Sequence, residues 1–233
     1  MSTPQREALI VAHGQPSVPV PPELWLQGFA AAVGKHLPGW NIRAATLAMP
    51  EALERQVAEM PAGSPIFPMF MADGWFVSKI LPRRLNGADL SILPPLGFHP
   101  ALPDVAAASI RKKLISLGWE NTKSHLLLAA HGSAKGPKAA ASANAFAQLL
   151  RDRLQDLKIT TGFVEEAPFI ADAARNLPKQ SLCLPFFALE GEHCREDIPE
   201  ALEEANFSGH LMPPLGTWDE AAKMVADTFR NCA

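Results

Sequence analysis

The chain states one pattern twice, and that duplication limits the available folds more than any other feature. Residues 9–17 read LIVAHGQPS and residues 126–134 read LLLAAHGSA. His13 and His131 therefore stand about 118 residues apart, a period too long for a solenoid and right for a domain. Further landmarks return at nearly the same offset. Met49-Pro50 answers to Ala167-Pro168, and Ile66–Phe70 to Cys183–Phe187. Gly74 answers to Gly191, Leu81-Pro82 to Ile198-Pro199, and Pro94–Gly97 to Pro213–Gly216. Two halves are expected, residues 1–120 and 121–233, meeting in the short polar stretch Gly118–Ser124. The copies part at one telling position. His193 lies two residues after Gly191, but Phe76 lies two residues after Gly74.

A hydrophobic content of 48% over 233 residues is enough for a packed core in each half. A net charge of −3 gives no electrostatic case for nucleic acid or an anionic membrane. No apolar run approaches a membrane span, and Met1–Glu7 is a polar lead without a signal-peptide core, so a cytoplasmic protein is expected. Cys183, Cys194 and Cys232 form no CxxC pair and read as reduced thiols. Monomer and homodimer are both open.

Each half opens with an apolar run that stops at His-Gly, 8–12 and 126–130, the pattern of a strand buried on both faces. Helix spacing follows in 23–37 and 139–157. Second strands are expected at 42–47 and 159–164, third strands at 65–71 and 182–189, and short fourth strands at 90–93 and 209–212. Helices fall between them, and 103–117 and 219–231 close the halves. Strand alternating with helix implies right-handed crossovers and a parallel sheet covered by helices on both faces. The expected class is thus α/β, with two similar sheets side by side and a cleft between them.

Ligands of open α/β sheets bind beyond the carboxyl ends of the strands. In the second half that rule selects His131 after the first strand, Glu165 and Glu166 after the second, and Glu190, Glu192, His193 and Asp197 after the third. Imidazole with carboxylate suits divalent first-row metals and also proton abstraction near neutral pH. A structural role for such a histidine is the competing reading, and the joint placement at three strand ends argues for function. His13 ends a strand too, but its copy lacks the second histidine, and Leu47 stands in the place of Glu165. The first half is read as decayed for chemistry, with His13 either structural or lining the cleft. His36, His99, His125 and His210 fall away from the strand carboxyl ends and carry no functional reading. Gly132-Ser133 is no serine-hydrolase elbow, and neither a P-loop nor a dinucleotide fingerprint is present. Cys194 beside His193 is disfavoured as a ligand, because neighbours on an extended segment point opposite ways.

Three stretches carry a family likeness. They are Leu126–Ser133 with its strand-His-Gly-Ser, Phe163-x-Glu165 before Pro168, and Leu184–His193 followed by Asp197-Ile198-Pro199. Together they resemble the class II tetrapyrrole chelatases of the CbiX sirohydrochlorin chelatase type, across nearly all of the second half and more weakly across the first. The resemblance implies a lyase of cobalamin or sirohaem synthesis that inserts Co²⁺ or Fe²⁺ into an anionic tetrapyrrole, most simply sirohydrochlorin. It implies a chelatase-like fold of two flavodoxin-like halves, each with a four-stranded parallel sheet. It makes the divalent metal a substrate, with no prosthetic group. It assigns His131, His193 and Glu165 to metal binding and catalysis, with Glu166 as the second choice of acid. Ser133, Arg195 and His13 are candidate substrate contacts, with Lys135 and Lys138 read equally well as solvated loop. Trp75, Phe76, Phe187 and Leu189 are candidate apolar walls for the ring, although a core position is favoured for Trp75 and Phe76. Lys135–Lys138 departs from the family's usual Arg-Asp after His-Gly-Ser. The alternative function is a carrier that binds tetrapyrrole or metal without turnover.

Overall fold

The computed structural model describes residues 6–133 and 136–232. In chain order the first repeat runs β1 (Arg6–Ala12), α1 (Val20–Lys35), β2 (Trp40–Thr46), α2 (Ala52–Ala58), β3 (Ser64–Met69), α3 (Leu81–Leu85), β4 (Leu90–Ile92) and α4 (Leu102–Ser116). The second runs β5 (His125–Ala130), α5 (Lys138–Arg153), β6 (Lys158–Phe163), α6 (Ile170–Ala174), β7 (Ser181–Pro185), α7 (Glu192–Arg195), α8 (Asp197–Glu204), β8 (His210–Leu211) and α9 (Asp219–Asn231).

Two parallel sheets form, in the orders β2-β1-β3-β4 and β6-β5-β7-β8. This is the α/β class expected, and the central strands explain why. Ala8–Ala12 and Leu126–Ala129 are fully buried, so every side chain of an unbroken apolar run is covered by helices on one face or the other. In each sheet the strand order reverses between the first and third strands of the repeat, which puts the switch point at the histidine that ends the first strand.

The third strands are shorter than the apolar runs suggest. β7 stops at Pro185; Phe186 N–H still donates to the Ala129 carbonyl oxygen at 2.7 Å, and the segment from Phe187 to Glu190 leaves the ladder. The repeated Pro-Pro-Leu-Gly motif accounts for the departure. Gly97 and Gly216 donate their N–H groups to the carbonyl oxygens of Phe70 (3.0 Å) and Phe187 (2.9 Å). A Cβ on Gly97 would lie 2.0 Å from the Met71 carbonyl oxygen, and one on Gly216 2.2 Å from that of Ala188. Only glycine allows that backbone approach.

The compact units do not follow the repeat. One comprises 1–98 with 219–233, the other 99–218, whereas the repeat divides near residue 120. The closing helices are exchanged. In the first unit α9 packs on α1, with Phe229 against Trp40 and Phe67 at 6.2 Å between ring centroids. Its apolar face at Ala222, Val225, Ala226 and Phe229 has helical spacing. In the second unit α4 packs on α5 and is tied by Arg153 to Asp104 at 2.7 Å. No helix among the described residues is long and apolar enough to cross a membrane.

Candidate metal site

The site is built at the carboxyl ends of β5, β6 and β7. β5 ends at Ala130, and the ladder carries on for two bonds beyond it. Val164 N–H donates to Ala130 and Glu165 N–H to the His131 carbonyl oxygen, both at 3.0 Å. That register sets Glu165 beside His131, with 3.8 Å between Oε2 and Nδ1 and each side chain 44% exposed. Gly132 turns the chain with φ of +70°, and a Cβ there would lie 2.9 Å from Glu166 and Phe163. His193 enters from α7. Its ring meets that of His131 edge to face, with centroids 4.6 Å apart at 88°. Phe187 stands beside both rings, at 6.3 and 6.2 Å.

His131, Glu165 and His193 each offer a ligand atom, and these atoms all lie within 4.8 Å of one another. Donors sharing one first-row ion at about 2 Å each are at most about 4 Å apart. The three need to close by less than about 1 Å to share an ion. The ring tautomers favour that use. His131 Nδ1 is 2.9 Å from the Gly132 carbonyl oxygen, which can only accept, so the Nδ1–H donates and Nε2 keeps its lone pair. His193 Nδ1–H donates in the same way to Asp197 Oδ2.

The other expected residues fall as follows. Glu166 is not in the cluster. Its Oε1 accepts the Ser133 N–H at 2.6 Å and so braces the loop after His131. The Ser133 backbone donor is thereby committed. Arg195 is exposed on α7, two residues beyond His193. Lys138 is exposed at the start of α5, and Lys135 lies outside the described residues. Phe187 and Leu189 are half-buried on the segment that carries the site. His13 lies in the first unit, outside the cluster, with its Nδ1–H donating to Gly14 at 2.8 Å.

Three readings of the sequence are corrected. Trp75 and Phe76 are not core, being 61% and 36% exposed. The segment bearing His193 is a helical turn, not an extended segment, which makes Asp197 its neighbour four residues on. Asp197 was legible as a nearby carboxylate but not as this partner. Cys194 instead points inward, 7% exposed, with its thiol pushed up to about 11 by burial, and is no ligand there. Finally, the ladder sets Ala48 rather than Leu47 opposite Glu165. Ala48 N–H donates to the His13 carbonyl oxygen at 2.9 Å, as Glu165 does to that of His131. The second copy carries one more residue between strand and proline, which hides this match in the sequence.

The CbiX family model matches residues 125–232, the stretch that contains the whole cluster. A structure described as CbiX, the terminal enzyme for biosynthesis of siroheme in denitrifying bacteria, is 42% identical, with a TM-score of 0.88. The match covers 98% of this chain and 100% of that one. The chain belongs to the CbiX family. SirB from Bacillus subtilis with Fe³⁺ matches at 14% identity and a TM-score of 0.75, over 98% of this chain and 96% of that one. The sirohydrochlorin chelatase SirB from Bacillus subtilis subspecies spizizenii in complex with cobalt matches at 14% and 0.69, over 98% and 95%. At that identity these two show a shared fold. No curated protein sequence matches the chain.

Proposed function

We propose that the protein is a sirohydrochlorin chelatase, a lyase that inserts Co²⁺ or Fe²⁺ into the tetrapyrrole in the synthesis of sirohaem or cobalamin. The observation that carries this reading is the His131–Glu165–His193 cluster, found in a chain 42% identical over nearly its full length to a CbiX of sirohaem biosynthesis.

The reaction replaces two pyrrole protons by one divalent ion. It therefore needs a place to hold the metal, acceptors for the protons and access for a flat ring. Nε2 of His131, Nε2 of His193 and a Glu165 oxygen make three N/O donors, which leaves coordination positions open for incoming pyrrole nitrogens. Holding must be loose, because ligands that bind the free ion too well raise the barrier to its transfer. As the metal passes to the ring, the freed imidazoles and the Glu165 carboxylate are placed to accept the pyrrole protons. The half-exposed side chains leave one side of the cluster open to the macrocycle, and Phe187 offers it an apolar edge. Arg195, exposed near the cluster, pairs with a substrate carboxylate, which its forked donors suit. Ser133 supplies its hydroxyl to the same rim. His13 is a weaker substrate contact and takes no step in the chemistry.

The test is anaerobic incubation of sirohydrochlorin with Co²⁺ or Fe²⁺ and substoichiometric protein, followed in the visible spectrum. Many turnovers per protein are expected. Stoichiometric binding with no rate above the uncatalysed reaction would make the protein a carrier instead.

A further inference from the structure

We propose that Asp197 is a positioning residue which makes His193 the tighter of the two histidine ligands. The inference rests on the metal-insertion reading of the site and adds a division of labour within it.

The two imidazoles are held by different acceptors. His131 gives its Nδ1–H to the neutral Gly132 carbonyl oxygen. His193 gives its Nδ1–H to the Asp197 carboxylate, four residues on, across the junction of α7 and α8. A carboxylate on the far nitrogen fixes the tautomer and ring orientation, and it raises the donor strength of Nε2 more than a carbonyl does. The distal charge also offsets part of the positive charge that His193 takes on when it binds a cation. Glu165 approaches the same nitrogen of His131 only at 3.8 Å, beyond hydrogen-bond reach, so the carbonyl is the acceptor His131 has.

The first repeat supplies a second, independent observation. There Phe76 takes the place of His193, and Ile80 the place of Asp197, in the same spacing after glycine and before Leu81-Pro82. The flanking positions keep their character: Val77 and Cys194 are both buried, as are Leu81 and Ile198. Where the histidine is absent the aspartate is absent as well, and the position has turned inward as a buried isoleucine. An aspartate needed for the helix junction itself would have no reason to vanish with the imidazole. One needed only by the imidazole would.

The experiment measures Co²⁺ affinity by its visible absorption, together with KM for metal and kcat, in the full chain and in Asp197→Asn, Asp197→Ala, His131→Ala and His193→Ala. Loss of the carboxylate should weaken Co²⁺ binding by about 10- to 100-fold and raise the metal KM accordingly, with unfolding unchanged. Asp197→Asn keeps shape and a hydrogen-bond acceptor, so it isolates the charge if Asp197→Ala fails to fold. His193→Ala should lose more Co²⁺ affinity than His131→Ala. Glu200→Gln, which removes a charge from the same side of α8 without touching His193, should bind Co²⁺ as the parent does. Affinities of both Asp197 variants within about twofold of the parent would overturn the inference, since the loss expected for such a partner is at least tenfold. So would an equal loss in Glu200→Gln. A parent chain that neither binds Co²⁺ nor turns over sirohydrochlorin would instead overturn the reading of the site, and the inference with it.

Discussion

The two repeats place a histidine at the same point of the same sheet and then diverge. In the second, the His131 ring meets an imidazole at 4.6 Å and 88°; in the first, the His13 ring meets the phenyl of Phe76 at 4.1 Å and 73°. Each histidine donates its Nδ1–H to the carbonyl of the glycine that follows. Each glycine has positive φ and packs on the end of the neighbouring strand. The scaffold of the site is thus retained in both copies, while Glu165, His193 and Asp197 are replaced by Ala48, Phe76 and Ile80. A duplicated fold holds this geometry through backbone and packing, and the side chains at these three positions exchange without disturbing it.

That contrast breaks if the copies respond alike. The largest difference should come from the histidines. His131→Ala and His193→Ala should each lower the metal-insertion rate at least about 100-fold, and His13→Ala by less than about threefold, since only the first two remove a ligand or proton acceptor. Next is stability, read by urea denaturation. Ile80→Asp places a carboxylate at a position only 8% exposed and should cost about 3 kcal/mol through lost packing and desolvation. Asp197→Ile, at a position 43% exposed, should change stability by less than about 1 kcal/mol. Gly14→Ala and Gly132→Ala should be equally harmful, about 2 kcal/mol each, because the positive φ belongs to the scaffold common to both copies. The smallest effect is on pH dependence. Burial, helped by Lys158, holds the His125 imidazole below its usual 6.5, and burial with Lys113 does the same for His210. A group depressed in the folded state stabilises it fully above the unfolded value and loses that contribution as pH falls through the folded one. Denaturation midpoints should therefore fall from pH 7 to 5, and less so in His125→Gln.

Much of this was legible in the sequence because buried parallel strands write themselves as unbroken apolar runs. The runs ending at His13 and His131 set both sheets, the strand-end rule gathers His131, Glu165, Glu166, Glu190, Glu192, His193 and Asp197, and the family resemblance narrows these to the His131, Glu165 and His193 that the fold brings together. What escaped reading depended on pairings that local pattern does not record. The exchange of α4 and α9 is invisible because either helix shows an apolar face without naming the surface it covers. The His193–Asp197 bond was missed because the apolar run from Leu182 to Leu189 reads as a strand continuing toward the histidine. Pro185 and the Gly216 contact end that strand early and let a helical turn form. Hydrophobicity alone points Trp75 and Phe76 inward, whereas their place after the third strand puts them at the exposed carboxyl edge of the first sheet.

The central claim is that the second repeat alone carries metal insertion. The direct measurement is anaerobic turnover of sirohydrochlorin with Co²⁺ by His13→Ala and His131→Ala, side by side with the parent at equal substoichiometric protein. The account predicts near-parental turnover for His13→Ala and none above the uncatalysed rate for His131→Ala. Equal losses in the two variants would contradict it and return the first repeat to the chemistry.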